Sequence, residues 1–368
     1  MENINKIIGA NLRAERINSN LTQKEIAEKV GYSEKSISKW ESGSGAPGIE
    51  TLLMLSKIFG TDINSLVTPR VNKPYFLGID GGGTKTEYCL TDYNGNIIKR
   101  FTGDCSNPID IGIERSKKVL KENIVKITEG INPKNIYAFA GISGGTTGNN
   151  KKEFAAFFKS FGFAEFENDS DIKSSVALGL GKSNGMIVIM GTGVVGFAVK
   201  DKLFKQIGGW GQLFDAGGGG YNLGKDALYA CLREHDGTGE KTLLTKLIEE
   251  KLGTSVRENL SDIYSKGKKY IASFSIYVVE AAARKDKIAL EIIDANMKEV
   301  AKIINSGLTT IAEKDVKIAL NGSLIINNPG LCDIIHSYLD KRYNVTFEMI
   351  TEPPVKGALI IAKELYRE

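Results

Sequence analysis

The fold of this chain is decided by one stretch, Tyr75-Phe76-Leu77-Gly78-Ile79-Asp80-Gly81-Gly82-Gly83-Thr84-Lys85-Thr86. The apolar run 75–79 is typical of a buried strand, and a second strand-like run follows over 87–91. Between them, three glycines permit positive φ and let backbone N–H groups approach an anion closely. An ordinary hairpin turn is the alternative, but a two-residue hairpin does not need three glycines. The stretch therefore predicts a phosphate-binding loop.

Oxygen-bearing side chains complete this loop. The hydroxyls of Thr84 and Thr86 can hydrogen-bond phosphate oxygens. Asp80 stands at the exit of the strand, and a hard divalent cation prefers oxygen ligands. We therefore expect Asp80 to hold a water molecule bound to Mg²⁺.

Composition excludes several classes of protein. The chain has 368 residues, 42% of them hydrophobic, which is enough for two or three packed domains. The formal net charge of +4 does not by itself imply a polyanionic partner. The four cysteines lie far apart without a CxxC pair, so neither a zinc nor an iron–sulfur site is expected. The absence of an apolar run of about 18 residues and of a signal-peptide pattern predicts a cytoplasmic protein with no membrane partner.

The first seventy residues carry the pattern of a small helical domain. Residues 5–17 have the apolar spacing of an amphipathic helix. The sequence Thr22-Gln23-Lys24-Glu25 is a capping box that starts a second helix, which Gly31 ends by tolerating a left-handed conformation. Further helices are predicted over 34–41, 49–59 and 62–66. Two short helices joined through a glycine, with Ser33 capping the second, are the signature of a helix-turn-helix.

This region resembles the XRE, or Cro-repressor, family of DNA-binding domains through Leu21-Thr-Gln-Lys-Glu-Ile-Ala-Glu-Lys-Val-Gly-Tyr-Ser-Glu-Lys-Ser-Ile-Ser-Lys-Trp-Glu41, and the resemblance covers residues 1–68. It implies a double-stranded DNA operator whose major groove receives the third helix. The residues that it assigns to DNA are Gln23, on a phosphate, and Glu34, Lys35, Ser36 and Lys39. Because the family binds paired half-sites, a homodimer is implied. A helical protein-binding module that has lost DNA is the alternative.

Two related halves are predicted after the helical domain. Residues 69–74 contain two prolines and no periodicity, which indicates a linker. The order strand, strand, strand, helix, strand that follows is typical of a ribonuclease-H-like half. The apolar run 186–190 starts a second half. We therefore expect an α/β fold with two ribonuclease-H-like lobes, 75–180 and 181–368, preceded by a small all-α domain over 1–68. Apolar periodicity also predicts helices over 271–283, 288–311 and 359–365.

The second half has its own glycine loop, Gly191-Thr192-Gly193. Together with Gly196, this loop has the sequence pattern of a dinucleotide-binding motif, GxGxxG. That motif must open a helix, whereas residues 197–200 continue as a strand. A second hairpin loop of the phosphate-binding kind is therefore predicted.

Five motifs occur in order along the body of the chain: Asp80-Gly-Gly-Gly-Thr-Lys-Thr86, Gly191-Thr-Gly193, Gly208-Gly-Trp-Gly-Gln-Leu-Phe-Asp215, Asn321-Gly-Ser323 and Pro354-Val-Lys-Gly-Ala358. In this combination, over residues 75–364, the chain resembles the BadF/BadG/BcrA/BcrD ATPase family. That family includes N-acetylglucosamine kinase and belongs to the actin/hexokinase superfamily. The resemblance implies ATP and Mg²⁺ bound between two lobes that close on an amino sugar.

By position, the resemblance implies three groups of site residues. The nucleotide is assigned Asp80, Gly82, Gly83, Thr84, Lys85, Thr86, Gly191, Thr192, Gly193, Gly322 and Ser323, with Asp80 also supporting the metal. The sugar is assigned Asn107, Gly145, Thr146, Asp171 and Trp210. The catalytic carboxylates are Asp171 and Asp215, with Asp169 as a rival of Asp171.

One position departs from the family's pattern. The segment Ser143-Gly144-Gly145 is normally followed by an aspartate that accepts the proton of the sugar hydroxyl, and here Thr146 follows. A threonine cannot serve as a general base at neutral pH, and such a base contributes about 10²–10⁴-fold to the rate. Either another carboxylate replaces it, Asp171 first and Asp110 second, or transfer is slow. Because phosphoryl transfer depends mostly on positioning and electrostatics, a weakened kinase is compatible with this loss.

Two functions therefore compete. The first is an ATP- and Mg²⁺-dependent kinase of N-acetylglucosamine or N-acetylmuramic acid, fused to a DNA-binding domain. The second is a transcription regulator whose kinase-like domain senses a sugar, with weak or no phosphotransfer, and whose lobe closure reorients the helix-turn-helix pair. The helix-turn-helix and Thr146 favour the regulator, whereas the two phosphate loops favour the enzyme.

Overall fold

The computed structural model describes residues 4–68, 73–201 and 203–366, and it divides the chain into two compact units, Met1–Tyr75 and Phe76–Glu368. The first unit contains helices α1 (Ile4–Asn18), α2 (Gln23–Val30), α3 (Glu34–Glu41), α4 (Ile49–Phe59) and α5 (Ile63–Val67). The predicted all-α domain is confirmed. Most of the predicted linker, residues 69–72, lies outside the described residues.

Local caps set the two central helices of the first unit. The Thr22 hydroxyl accepts the Glu25 N–H at 3.2 Å, and the Glu25 carboxylate accepts the Thr22 N–H at 2.7 Å. These two bonds are the predicted capping box. Gly31, with φ of 72°, ends α2 in the left-handed conformation. The inner faces of the five helices then bury one apolar cluster, which includes Ile37 and Trp40 of α3.

A partly buried ion pair ties the first three helices together. The Arg16 guanidinium donates to both carboxylate oxygens of Glu41, at 2.7 and 3.0 Å. The Gln23 amide donates to the same carboxylate at 2.8 Å. The two charged side chains are only 15% and 5% exposed. Because the pair is bidentate, it fixes the orientation of α3 as well as its position.

Two five-stranded sheets with equivalent strand orders make up the second unit, β3-β2-β1-β4-β5 and β8-β7-β6-β9-β10. The strands are β1 (Tyr75–Gly81), β2 (Lys85–Thr91), β3 (Ile97–Asp104), β4 (Ile136–Ile142) and β5 (Glu165–Asp169), then β6 (Gly185–Met190), β7 (Val194–Lys200), β8 (Leu203–Gly208), β9 (Asp315–Asn321) and β10 (Asn344–Met349). In each sheet the first three strands along the chain form antiparallel pairs. The predicted pair of ribonuclease-H-like lobes is confirmed.

Helices surround these sheets. They are α6 (Pro108–Ile111), α7 (Ile113–Ile127), α8 (Asn150–Lys159), α9 (Ile172–Gly179), α10 (Gly220–His235), α11 (Leu243–Leu252), α12 (Leu260–Ser273), α13 (Ser275–Ala283), α14 (Lys287–Ile311), α15 (Ser323–Asn327), α16 (Leu331–Ser337) and α17 (Pro354–Leu365). The long helix α14 packs on the second sheet through fully buried residues such as Val300, Ile304 and Leu308. No helix in the described part of the chain is long and apolar enough to cross a membrane.

Two predictions about the helices need correction. Residues 271–283 do not form one helix, because α12 ends at Ser273 and α13 begins at Ser275. Phe274, at the junction, is almost fully buried. Apolar periodicity continues through a buried turn, so it does not reveal a change of direction there.

The second correction concerns the boundary between the lobes. The closing helix α17 begins at Pro354, ahead of the predicted range 359–365, and it packs against the first sheet. Ala358 and Ala362 join a buried cluster with Phe76 and Phe139. A Cβ atom at Gly357 would lie 1.8 Å from the carbonyl oxygen of Ser174 in α9. By packing, α17 therefore belongs to the N-terminal lobe, although its sequence position placed it in the predicted C-terminal lobe 181–368.

The Arg16–Glu41 pair provides a test of the first unit. Replacing Glu41 with alanine is expected to destabilise this unit by about 3–5 kcal/mol, because Arg16 loses its partner while it stays largely buried. Hydrogen exchange on the full chain should show faster exchange within residues 4–68 and unchanged exchange within 76–366. Glu250→Ala is the control, since Glu250 and its partner Lys246 are 62% and 71% exposed and exposed pairs contribute little. Unchanged protection of residues 4–68 would contradict the role of the pair.

Candidate functional site

The first glycine loop joins β1 to β2. Gly81 pairs with Thr86 across the two strands, and the Gly82 N–H donates to the Lys85 carbonyl at 2.9 Å. Gly83, Thr84 and Lys85 are exposed at the tip. None of the three glycines has positive φ. Close approach explains two of them instead, because a Cβ atom at Gly81 would lie 2.4 Å from the Ser106 hydroxyl and one at Gly83 would lie 2.8 Å from the Asp110 carboxylate.

Thr86 supports this loop from below. Its side chain is fully buried, and its hydroxyl bonds to the Asp104 carbonyl and to the Ser106 hydroxyl, each at 2.8 Å. This arrangement contradicts the prediction that Thr86 contacts phosphate. The threonine that remains available at the loop tip is Thr84.

Two carboxylates with raised pKa values lie near the loop. Burial and the neighbouring Asp171 carboxylate raise the pKa of Asp80 to about 7. Burial also raises the pKa of Asp171, although hydrogen bonds from Ser170 and the Ile172 N–H oppose the effect. Asp171 caps the first turn of α9, where its Oδ1 accepts the Ile172 N–H at 3.1 Å. The fold therefore brings together two carboxylates that lie 91 positions apart in the sequence.

Asp80 has the free oxygen that a hydrated cation requires. Its Oδ1 is buried and has no hydrogen-bond partner within the described residues. The described residues contain no group of three His, Cys, Asp or Glu that could hold an ion by themselves. Mg²⁺ keeps several waters and is usually bound through one or two carboxylates together with substrate phosphates. The donor set therefore fits an Mg²⁺ ion that binds together with a nucleotide.

The rival carboxylate, Asp169, is already paired. It accepts from Lys151 at 2.6 Å and from Lys173 at 3.1 Å. Although burial works against it, the hydrogen bond from Lys151 holds the pKa of Asp169 below its ordinary value. Of the two neighbouring aspartates, Asp171 is the one without a cationic partner among the described residues.

Three more predicted residues surround the same loop. The Asn107 amide donates to Asp110 at 2.8 Å, and its carbonyl oxygen accepts the Ile109 N–H at 2.9 Å. A Cβ atom at Gly144 would lie 2.5 Å from that Asn107 oxygen. Gly145 is buried beside the exposed Thr146. The loops after β1, β3 and β4 therefore meet at one edge of the first sheet.

The second glycine loop joins β6 to β7 as a hairpin, so the dinucleotide interpretation is correctly rejected. The run 217–220, which leads into α10, packs on this loop. The Gly220 N–H donates to the Gly191 carbonyl and the Tyr221 N–H to the Thr192 carbonyl, each at 2.8 Å. A Cβ atom at Gly219 would lie 2.6 Å from the Gly193 Cα. Contact between backbones therefore accounts for this glycine.

A pocket of about 530 Å³ opens beside the second loop. It contains three residues predicted for the nucleotide, Gly191, Thr192 and Ser323. The neighbouring Gly322 packs against the Met190 backbone. Its φ is 102°, and a Cβ atom there would lie 2.3 Å from the Met190 carbonyl oxygen. All the described lining residues belong to the C-terminal lobe. The opposite wall comes from α12 and α13, including Lys269, Ser273, Ser275, Ile276 and Glu280, which the sequence analysis did not identify.

The segment after β8 contains Asp215. One oxygen of this carboxylate accepts the Trp210 N–H at 3.0 Å, and the other accepts the Gly211 N–H at 2.9 Å. Asp215 therefore closes a local turn, and its predicted role as a catalytic carboxylate stays a prediction. Trp210 is 64% exposed, so it does not fill the core. No contact in the described structure joins it to Asn107 or Asp171.

The predicted DNA face occupies the outer side of α3. Glu34, Lys35 and Lys39 are exposed. Ser36 is partly buried and contacts Ser33 through its N–H and its hydroxyl, at 3.2 and 2.9 Å. The Gln23 amide is held by Glu41, as described above. Among the predicted residues, the two lysines and Glu34 are the most available to a partner.

Taken together, the two sheets, the paired glycine loops and the pocket define a kinase-like α/β protein with a separate helix-turn-helix domain. The chain belongs to the BadF/BadG/BcrA/BcrD ATPase family, whose sequence profile matches residues 77–361. Residues 12–66 match a helix-turn-helix family. Both resemblances found in the sequence are confirmed.

Two relatives extend this comparison. An N-acetyl-D-glucosamine kinase of Dictyostelium discoideum is 29% identical over 315 residues, 79% of this chain and 98% of the relative. An N-acetylmuramic acid/N-acetylglucosamine kinase of Clostridium acetobutylicum is 29% identical over 305 residues, 78% of this chain and 98% of the relative.

Solved structures show the same fold. A candidate N-acetylglucosamine kinase from Chromobacterium violaceum has a TM-score of 0.59 at 22% identity, over 79% of this chain and 99% of that chain. A ROK family transcriptional regulator, homologous to the E. coli MLC protein, has a TM-score of 0.50 at 12% identity, over 99% of this chain and 96% of that chain.

The contact at Gly219 generates a prediction for the site. Gly219→Ala should lower the free energy of unfolding of the second unit by about 1–3 kcal/mol, because the added methyl group forces Gly193 and the start of α10 apart. Gly330→Ala is the matched control, since Gly330 has φ of −61° and no atom within 4 Å of a Cβ there. Denaturant unfolding of both variants measures the difference. Equal stability of the two variants would contradict the close packing of this loop.

Proposed function

We propose that this protein is an ATP- and Mg²⁺-dependent kinase of an amino sugar, of the N-acetylglucosamine or N-acetylmuramic acid type, attached to a DNA-binding domain. The proposal depends on the pocket that is lined by Gly191, Thr192 and Ser323. The family profile that matches residues 77–361 supports it. The names of the two relatives support an amino sugar as the substrate.

The nucleotide is proposed to lie between the glycine loops. The nucleoside occupies the pocket beside Ser323 and Gly322, and its phosphates pass along Gly191, Thr192 and Gly193. The terminal phosphate meets the first loop at Gly82, Gly83 and Thr84, with Lys85 nearby. Exposed backbone N–H groups of such loops bind phosphate oxygens without a penalty for side-chain ordering. The exposure of Gly83, Thr84, Thr192 and Gly193 supports this role.

Asp80 is proposed to hold Mg²⁺ through a bound water. When bound, the ion neutralises charge on the phosphates during transfer. The buried, unpartnered Oδ1 of Asp80 supports this assignment.

Asp171 is proposed to replace the missing base. The sugar is bound by Asn107, Gly145 and Thr146, with Trp210 closing from the C-terminal lobe. Asp171 accepts the proton of the sugar hydroxyl as that oxygen bonds to the γ-phosphorus, and the bond between the γ-phosphorus and the bridging oxygen of ADP breaks. A carboxylate with a raised pKa is suited to this step. Asp110, the alternative, is exposed and bonded to Asn107.

A second candidate is a sugar-responsive transcription regulator in which transfer is weak or absent. Thr146 in place of the family's aspartate favours it, as does the exposure of Lys35 and Lys39 on α3. The similarity in fold to a ROK regulator over 99% of the chain is consistent with it. In this version the protein is a cytoplasmic homodimer that binds a double-stranded operator, and sugar binding changes the affinity of the α3 pair for DNA.

A coupled ADP-release assay with ATP, Mg²⁺ and a panel of amino sugars tests the enzyme. We expect sugar-dependent ADP release, and we expect Asp171→Asn to reduce kcat by about 10²–10⁴-fold because a general base is lost. Asp110→Asn should reduce it far less. If Asp110→Asn causes the larger loss, the base is Asp110. If no sugar stimulates ADP release by the wild type, the kinase proposal is wrong.

Operator binding tests the regulator. Sites selected from a random DNA library would be titrated with the full chain by fluorescence anisotropy. If Lys35 contacts a base, Lys35→Ala should weaken binding to the selected site by about 1–3 kcal/mol. Binding to unrelated DNA should stay nearly unchanged. Lys57→Ala, an exposed lysine of α4, is the control. Amino-sugar-dependent affinity without ADP release would favour the regulator over the enzyme.

A further inference from the structure

The 530 Å³ pocket contains one basic side chain among its described lining residues, Lys269 of α12. The acidic residue of the lining, Glu280, is paired with Arg284. Lys269 itself is exposed and forms no ion pair with any described residue. The same pocket contains Gly191, Thr192 and Gly220. An uncompensated positive charge therefore shares this pocket with the second glycine loop.

The first N–H groups of α10 are not available to an anion in this pocket. The N-terminus of a helix such as α10 normally offers free N–H groups to an anion. In this fold the N–H groups of Gly220 and Tyr221 are already used, because they donate to the carbonyls of Gly191 and Thr192. They hold the loop in place but are not available to a phosphate. Among the described lining residues, Lys269 therefore supplies the positive charge of a basic side chain.

The backbone of α12 changes direction two residues before Lys269. The helix bends at Gly267, which has φ of 70° and ψ of −165°. Such a conformation is accessible to glycine and rarely to other residues. The two lysines that precede Lys269 in this helix, Lys266 and Lys268, differ from it. Lys266 is bound to Asp262 at 2.6 Å, and Lys268 is exposed but does not line the pocket.

We propose that Lys269 binds the phosphate chain of the nucleotide, as a contact in addition to the two glycine loops. The inference rests on the proposed function, since it requires a nucleotide in this pocket. A lysine ammonium donates charge-assisted hydrogen bonds to phosphate oxygens, and these are stronger than bonds between neutral groups. Adenosine, which lacks phosphates, gains nothing from Lys269.

Isothermal titration of the full chain with ATP, ADP and adenosine, in the presence of Mg²⁺, tests this contact. Lys269→Ala should weaken the binding of ATP and of ADP about 10- to 100-fold, which is the loss expected for a charged hydrogen bond. Its affinity for adenosine should equal that of the wild type. Lys268→Ala is the matched control and should bind all three ligands as the wild type does. Lys269→Arg keeps the charge and should recover most of the lost affinity.

Each other outcome has a definite meaning. Unchanged ATP affinity in Lys269→Ala overturns the inference but leaves the proposed nucleotide site intact. An equal loss for adenosine shows that Lys269 shapes the pocket and does not bind phosphate, which also overturns it. If the wild type binds neither ATP nor ADP, the proposed function fails together with this inference. Thermal unfolding of each variant shows whether it is folded.

Discussion

A side-chain atom at Gly219 would come within 2.6 Å of the Cα of Gly193, so the backbone leading into α10 lies directly against the second glycine loop. The first lobe has an equivalent constraint, because the Ser106 hydroxyl and the Asp110 carboxylate fill the space beside Gly81 and Gly83. In both lobes the loop is held by contact with other segments, and its exposed atoms are therefore fixed in place. Such preorganisation is what electrostatic binding of phosphate requires. The proposed phosphate contacts depend on this support.

Four aspartates of the second unit differ in their roles because their surroundings differ. Asp169 is neutralised by two lysines, and Asp215 is occupied by two backbone N–H groups. Burial raises the pKa of both Asp80 and Asp171, and the Asp171 carboxylate raises that of Asp80 further although Lys85 opposes it. Groups with perturbed pKa values concentrate at functional sites. The chemistry of the first lobe is therefore expected at Asp80 and Asp171.

The two units are proposed to bind different partners. In the first, the Arg16–Glu41 pair fixes α3, whose outer face carries Glu34, Lys35 and Lys39. In the second, the proposed ligand site is formed by the glycine loops and the pocket beside Ser323. Sugar binding in one unit can change DNA affinity in the other only if the two states differ in their affinity for the sugar. The proposed regulator and the proposed kinase therefore share one sugar site and differ in whether Thr146 and Asp171 still permit transfer.

Local sequence determined much of this protein. Caps at Thr22 and Ser33, the glycine at position 31, and the apolar runs at β1 and β6 each act over a few neighbouring residues, so the helix-turn-helix, the two hairpin loops and the family followed from the sequence alone. Only the tertiary structure decided which side chains are free to act. Thr86 has suitable chemistry, but the Asp104 carbonyl and the Ser106 hydroxyl, which pack against it from a distant part of the chain, occupy its hydroxyl. Lys269 had no sequence signal, because it shares the pocket with a loop 77 residues earlier in the chain. Packing likewise assigned α17 to the lobe at the other end of the second unit, since contact with Phe76 and Phe139 is independent of order along the chain.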